Sequence, residues 1–362
     1  MSISSKIQDR QSLNALRELK IRNHSLEDFC SNDYLGLARN KELHAINIDS
    51  FKSLKLNGAT GSRLISGNSD LAQDLEYYLS DYLKGESALL FNSGYNANLG
   101  IIGSVPQRGD TILFDELCHA SIRDGIRLSN AKAFKFQHNN LLDLEEKLKK
   151  SKGNIFIIIE AVYSMDGDIC PLNEINDLAK TYNAKIILDE AHSIGVFGSH
   201  GLGLANELGI SKDLFARIYA FGKAIGCHGA VIIGSKELKI FLINYARSLI
   251  YTTFLPPVSL CMIYNAFEYL KNNTHLINKL KGKINVFYKN APSAKTYCHP
   301  IISLIESGND NVKTLENKLI ASGFDVKAIL SPTVKEGSER LRLCIHTFNS
   351  DASIISLANS LR

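Results

Sequence analysis

Lys185-Ile186-Ile187-Leu188-Asp189-Glu190-Ala191-His192 decides the reading of this chain, together with Phe221-Gly222-Lys223-Ala224 downstream. A short apolar, β-branched run that stops at acidic residues reads as a buried parallel strand. Open α/β sheets place their chemistry at the carboxyl ends of such strands. Asp189 is therefore expected at an active-site edge, with His192 close behind it. A second strand-like run, Arg217-Ile218-Tyr219-Ala220, carries Lys223 to the same edge. Singly, these residues fit a turn cap and a solvated lysine. Together they suggest pyridoxal phosphate, which needs a Schiff-base lysine and an acidic partner for its pyridinium nitrogen.

The chain has 362 residues, enough for two domains or one large α/β unit. A net charge of +4 with no long basic run implies neither nucleic acid nor a membrane surface as partner. The longest apolar run, Ile155-Phe156-Ile157-Ile158-Ile159, stops at Glu160 and is too short to span a bilayer. The stretch MSISSKIQDRQ lacks the apolar core of a signal peptide. Seven scattered cysteines without a Cys-x-x-Cys pair read as free thiols in a reducing cytoplasm, and no metal site is expected.

Outward from the centre, apolar spacing predicts a helix over residues 12–19, and Ser31-Asn32-Asp33-Tyr34-Leu35-Gly36 reads as an exposed turn. Gly58 to Asn68 packs small residues around Arg63; an anion-binding loop and a plain surface loop both fit. Asn68 or Ser69 caps a helix ending near Leu83. Strands are expected at 88–91, 111–114, 131–136, 154–159, 185–188, 217–220 and 230–233, with helices such as 141–150 and 172–181 between them. This alternation predicts a mostly parallel seven-stranded sheet with helices on both faces. After the first strand, Asn92-Ser93-Gly94-Tyr95 opens a helix, whose free N–H groups make an anion site suited to a cofactor phosphate; an ordinary βα loop fits these residues as well. Leu255-Pro256-Pro257 marks a break, and a smaller α/β domain follows. The expected division is an amino-terminal segment at 1–40, a large domain at 41–255 and a small domain at 256–362. Gly198 to Gly203 has the wrong spacing for a dinucleotide fingerprint, and Gly222-Lys223 lacks the rest of a P-loop.

Ser31 to Gly36, Gly61-Ser62-Arg63, Asp115 to Ser121, Ser164-Met165-Asp166-Gly167-Asp168, Asp189 to Ser193 and Phe221 to Ala224 resemble, in the same order along nearly the whole chain, the α-oxoamine synthases among the fold type I pyridoxal phosphate enzymes. Gly222 to Gly229 and Pro332-Thr333-Val334 lean toward the biotin-forming branch. The resemblance implies that Lys223 is the Schiff-base lysine, Asp189 pairs with the pyridinium nitrogen and His119 stacks on the ring. It assigns Ser164 and His192 to the phenolic oxygen, Gly94 and Tyr95 to the phosphate, and Thr252 or Thr253 to the phosphate across a homodimer interface. Arg342, Asn32, Arg17 and Thr333 match substrate-binding positions. Ala220 departs from the family's usual Thr or Ser near the phosphate. Leu330-Ser331 stand where some relatives carry Arg-Pro, which bears on how a distal acyl carboxylate is held.

The implied activity is a decarboxylating condensation of L-alanine with a pimeloyl thioester on coenzyme A or a carrier protein. Glycine- or serine-using relatives are the alternative within the family. A non-catalytic binding protein of the same fold is the alternative outside it.

Overall fold

The computed structural model describes residues 2–291 and 298–361. Contacts divide the chain into two units, each discontinuous in sequence: Leu35–Tyr163 with Ile169–Ile277, and Met1–Tyr34 with Ser164–Asp168 and Asn278–Arg362. The sequence suggests breaks near 40 and 255, whereas here the amino-terminal segment belongs with the carboxyl-terminal one.

The larger unit carries seven strands: β1 (Ser87–Phe91), β2 (Thr111–Asp115), β3 (Lys132–Phe136), β4 (Ile155–Glu160), β5 (Ala184–Asp189), β6 (Ala216–Ala220) and β7 (Ala230–Gly234). They lie in the order β1-β7-β6-β5-β4-β2-β3. All neighbours are parallel except β7, which runs antiparallel to both β1 and β6. Every residue of β4 is buried, as a strand covered on both faces requires. One alternating set, including Phe91, Ile112, Ile158, Ile187 and Ile218, packs with Ala97 and Ile101 of the helix Gly94–Ser104. The other set, including Leu90, Leu113, Ile157, Leu188 and Tyr219, is buried as well.

The smaller unit holds a three-stranded antiparallel sheet, with β8 (Ile301–Ile305), β9 (Lys327–Ile329) and β10 (Arg340–Cys344) in the order β9-β10-β8. Glu27–Asp28 pairs in parallel with Phe324–Asp325, which ties the amino-terminal segment to this unit.

Two local expectations are corrected. The first helix spans Ile3–Ser12 rather than 12–19: Ser2 caps it, and Asn14 at φ 49° turns the chain into the left-handed region just past its end. Asn14 is held there through its side chain by Asp310 and Lys313, so tertiary bonds override the apolar spacing of Leu13, Leu16 and Leu19. The turn at Ser31 is not exposed, since Asp33 and Tyr34 are buried. The Asp28 carboxylate accepts from Cys30 N, Ser31 N and the Ser31 hydroxyl, folding the turn inward. Among the described residues no helix is long and apolar enough to cross a membrane.

Candidate active site

Four parallel strands run toward one edge of the larger sheet, and their ends wall a cleft. Gly94, Tyr95 and Asn98 come from the helix after β1, and His119 and Ser121 follow β2. Glu160 ends β4, Asp189 ends β5 with Ala191 and His192 behind it, and Ala220 and Lys223 close β6. Six sequence-predicted residues thus meet here: Gly94, Tyr95, His119, Asp189, His192 and Lys223.

Strand alternation separates the two acidic neighbours after Leu188. Asp189 lines the cleft, where Oδ2 accepts from Asn98 Nδ2 at 2.7 Å and Oδ1 from Ala191 N at 2.9 Å. Glu190 is buried on other partners: it accepts from Leu204 N at 2.7 Å and from the Ser193 hydroxyl, and desolvation raises its pKa. Glu160 is the register partner of Asp189 on the adjacent strand. Burial first, and the Asp189 charge second, push the Glu160 carboxyl well above the ordinary range, so it holds its proton. Its Oε1 accepts the backbone N–H of His119 at 2.5 Å. Desolvation by the cleft walls lowers the His119 pKa, against the pull of Asp189 and with the push of Lys223.

These residues fit pyridoxal phosphate. Ser93 caps the helix through Asn96 N, while the N–H groups of Gly94 and Tyr95 find no partner among the described residues. They remain available to a phosphate at the positive end of the helix dipole. Lys223 and Asp189 supply the amine and the carboxylate that the ring requires.

Thr252 and Thr253 do not line this cleft; the Thr253 carbonyl accepts from Asn92 Nδ2 at 2.6 Å. Arg63 is turned into the protein, where its guanidinium donates to Glu76 and to Asn68 Oδ1 and lies 4.8 Å from the Phe254 ring centroid.

The remaining predicted residues lie in the smaller unit. Arg342 on β10 is 8% exposed, yet no carboxylate pairs with it among the described residues. Its guanidinium donates to the Ser164 carbonyl at 2.6 Å and to Asn32 Oδ1 at 2.8 Å. Three sequence-predicted positions are thereby joined around a buried positive charge. Arg17 Nη2 donates to Thr333 Oγ1 at 2.8 Å, both exposed.

Asn98, Ser121, Glu160 and Ala191 line the cleft without having been chosen from sequence as site residues. The available signals were weak: a polar residue one turn into the opening helix, a serine two residues past His119, and a carboxylate at a strand end.

Comparison with known proteins bears on this geometry. Residues 25–356 match the family model for aminotransferase class I and II. An 8-amino-7-oxononanoate synthase of Lysinibacillus sphaericus is 40% identical over 91% of this chain and 86% of its own. A crystal structure of 8-amino-7-oxononanoate synthase from Francisella tularensis superposes with a TM-score of 0.81 at 29% identity, covering 94% of this chain and 97% of that one. Serine palmitoyltransferase of Sphingomonas wittichii superposes at 0.88 with 26% identity, covering 99% and 97%. With its sheet-edge lysine and carboxylate and this likeness along nearly its full length, the chain belongs to the aminotransferase class I and II family, as a pyridoxal phosphate-dependent acyltransferase of the α-oxoamine synthase branch with the type I fold.

Proposed function

We propose that the chain condenses L-alanine with a pimeloyl thioester, on coenzyme A or a carrier protein, to give 8-amino-7-oxononanoate, carbon dioxide and the free thiol. One observation carries this reading: the cleft gathers Lys223, Asp189 and His119 in a chain whose curated relatives at 35 to 40% identity bear the name of that synthase. Pyridoxal phosphate supplies the electron sink for negative charge formed at the amino acid's α-carbon.

The chain's own residues do the rest. Lys223 Nζ takes the α-proton. Asp189, held by Asn98 and Ala191, keeps the ring nitrogen protonated. His119 covers the ring and donates to the acyl oxygen. The Gly94 and Tyr95 N–H groups hold the phosphate, and the motifs assign Ser164 and His192 to the phenolic oxygen. Arg342, with Asn32 on its guanidinium, takes the amino acid carboxylate, and Arg17 with Thr333 binds substrate. The working form is a homodimer in which Thr252 or Thr253 of a second copy reaches the phosphate.

The test is mass spectrometry of the product from cofactor-loaded protein, L-alanine and pimeloyl-CoA. The 8-amino-7-oxononanoate mass is expected, and Lys223→Ala should lose activity by about 10⁴-fold, the upper range for a general base. Near-normal turnover by that variant would remove Lys223 from the chemistry. The fold likeness to serine palmitoyltransferase favours a second reading, in which serine and a longer acyl thioester are the substrates. Product formed only from that pair would select it.

A further inference from the structure

His119 caps the helix Ala120–Leu128, and its ring Nδ1 accepts the backbone N–H of Ser121 at 3.2 Å. The Ser121 hydroxyl oxygen lies 2.8 Å from the same Nδ1 and accepts from Asn98 Nδ2 at 3.0 Å. Asn98 Nδ2 also donates to Asp189, so both of its hydrogens are committed. The Ser121 hydroxyl oxygen has a second lone pair beside its bond from Asn98, so the direction of its bond to the ring is set by the backbone N–H of Ser121, which takes the Nδ1 lone pair and leaves the hydroxyl to donate there. A proton on Nδ1 would leave the N–H of the fully buried Ser121 without an acceptor. Turning the Asn98 amide over would set its oxygen against the Asp189 carboxylate. Nothing among the described residues bonds Nε2, at the other edge of the ring.

We propose that Asn98 and Ser121 are positioning residues that hold His119 as the neutral imidazole with its proton on Nε2, so that the ring presents the cleft with a donor. The chain of bonds runs from Asp189 through Asn98 and Ser121 to His119 and ties the ring-nitrogen partner to the ring-stacking residue. Asp189 and Asp124 draw the ring toward its charged form, while Lys223 and desolvation oppose them, and Glu160 enters as a proton-holding acid. The use made of the donor rests on the condensation proposed above; the tautomer is a property of the protein alone.

The experiment is ¹⁵N NMR of protein labelled in its histidines, with and without pyridoxal phosphate, His119 being assigned by difference from His119→Asn. Expected is a single protonated ring nitrogen, Nε2, across roughly pH 7 to 8, where an ordinary histidine is already mostly neutral and the lowered His119 is more so. A proton on Nδ1, or a ring that becomes doubly protonated within that span, overturns the proposal. Ser121→Ala keeps the backbone N–H but removes the hydroxyl from Nδ1, so the ¹⁵N signal of Nδ1 should shift toward that of an unbonded ring nitrogen and kcat should fall roughly ten-fold, with KM for the amino acid held. An unmoved Nδ1 signal in that variant removes the Ser121 hydroxyl from the role, and should the variant not fold, the wild-type spectrum alone decides. A locked Nε2–H with no product from alanine and pimeloyl-CoA would sink the proposed reaction and leave this inference standing.

Discussion

Glu76 and Glu160 are both carboxylates shut away from water in the larger unit, 2% and 4% exposed, and their surroundings are opposite. Glu76 is ringed by donors: Arg63, Lys239 Nζ at 2.8 Å and the Leu90 N–H at 2.9 Å. Glu160 has one backbone N–H and a second carboxylate beside it in register. A full ring of donors makes a buried charge part of the framework. A carboxylate packed against another with a single donor becomes a proton store, and such groups gather where chemistry is done.

The strongest way to break the comparison is to empty the framework site. Glu76→Ala leaves Arg63 with no carboxylate in a pocket where its side chain is 10% exposed. Loss of one partner from a buried ion pair costs about 3–5 kcal/mol. Urea denaturation should show that loss as a lower midpoint with an unchanged slope. A change below about 1 kcal/mol, the range of exposed pairs, would mean the cluster is solvated and the contrast false.

The second way addresses the proton on Glu160. Its pKa is raised on folding, so the folded state keeps the proton to higher pH than the unfolded chain, whose value is 4.5. Its contribution is therefore complete below pH 4.5 and is lost as pH climbs toward the raised value. One proton gives a slope of at most about 1.4 kcal/mol per pH unit. Glu160→Gln keeps the shape and the acceptor for His119 N but cannot ionise. Subtracting its stability profile from that of the cofactor-free wild type should leave a fall with rising pH. A flat difference would place an ordinary carboxylate at this position.

The same contrast explains what could be read in advance. The seven strands are legible because buried β-branched runs bounded by turn residues leave few other structures, and Leu141–Lys150 and Leu172–Thr181 fall where their apolar spacing puts them. The reversal of β7 is not legible, since an apolar run such as Ala230 to Ile233 carries no direction. Lys223, Asp189, His119 and His192 stand out because strand ends concentrate chemistry. Asn98 and Ser121 act through other side chains, and nothing in their own identity marks that. Arg63 shows the converse: a glycine-flanked arginine fits an anion site in sequence, and only the fold brings Glu76 to it.

The smallest effect tests whether the cleft wall is tuned as well as its charged groups. Ala220 ends β6 in the cleft, and a Cβ on Gly94 would lie 2.9 Å from the Ala220 methyl. The two residues are thus packed at the mouth of the helix whose N–H groups are left for a phosphate. Ala220→Ser adds one hydroxyl at that wall without the second branch that threonine would press toward Gly94. One more neutral hydrogen bond is worth about 1 kcal/mol, hence roughly five-fold in cofactor affinity. Dissociation of pyridoxal phosphate followed by its visible absorbance should become slower by about that factor. Equal or faster release would mean that the alanine already faces a filled space, and that the phosphate depends on the Gly94 and Tyr95 N–H groups without help from β6.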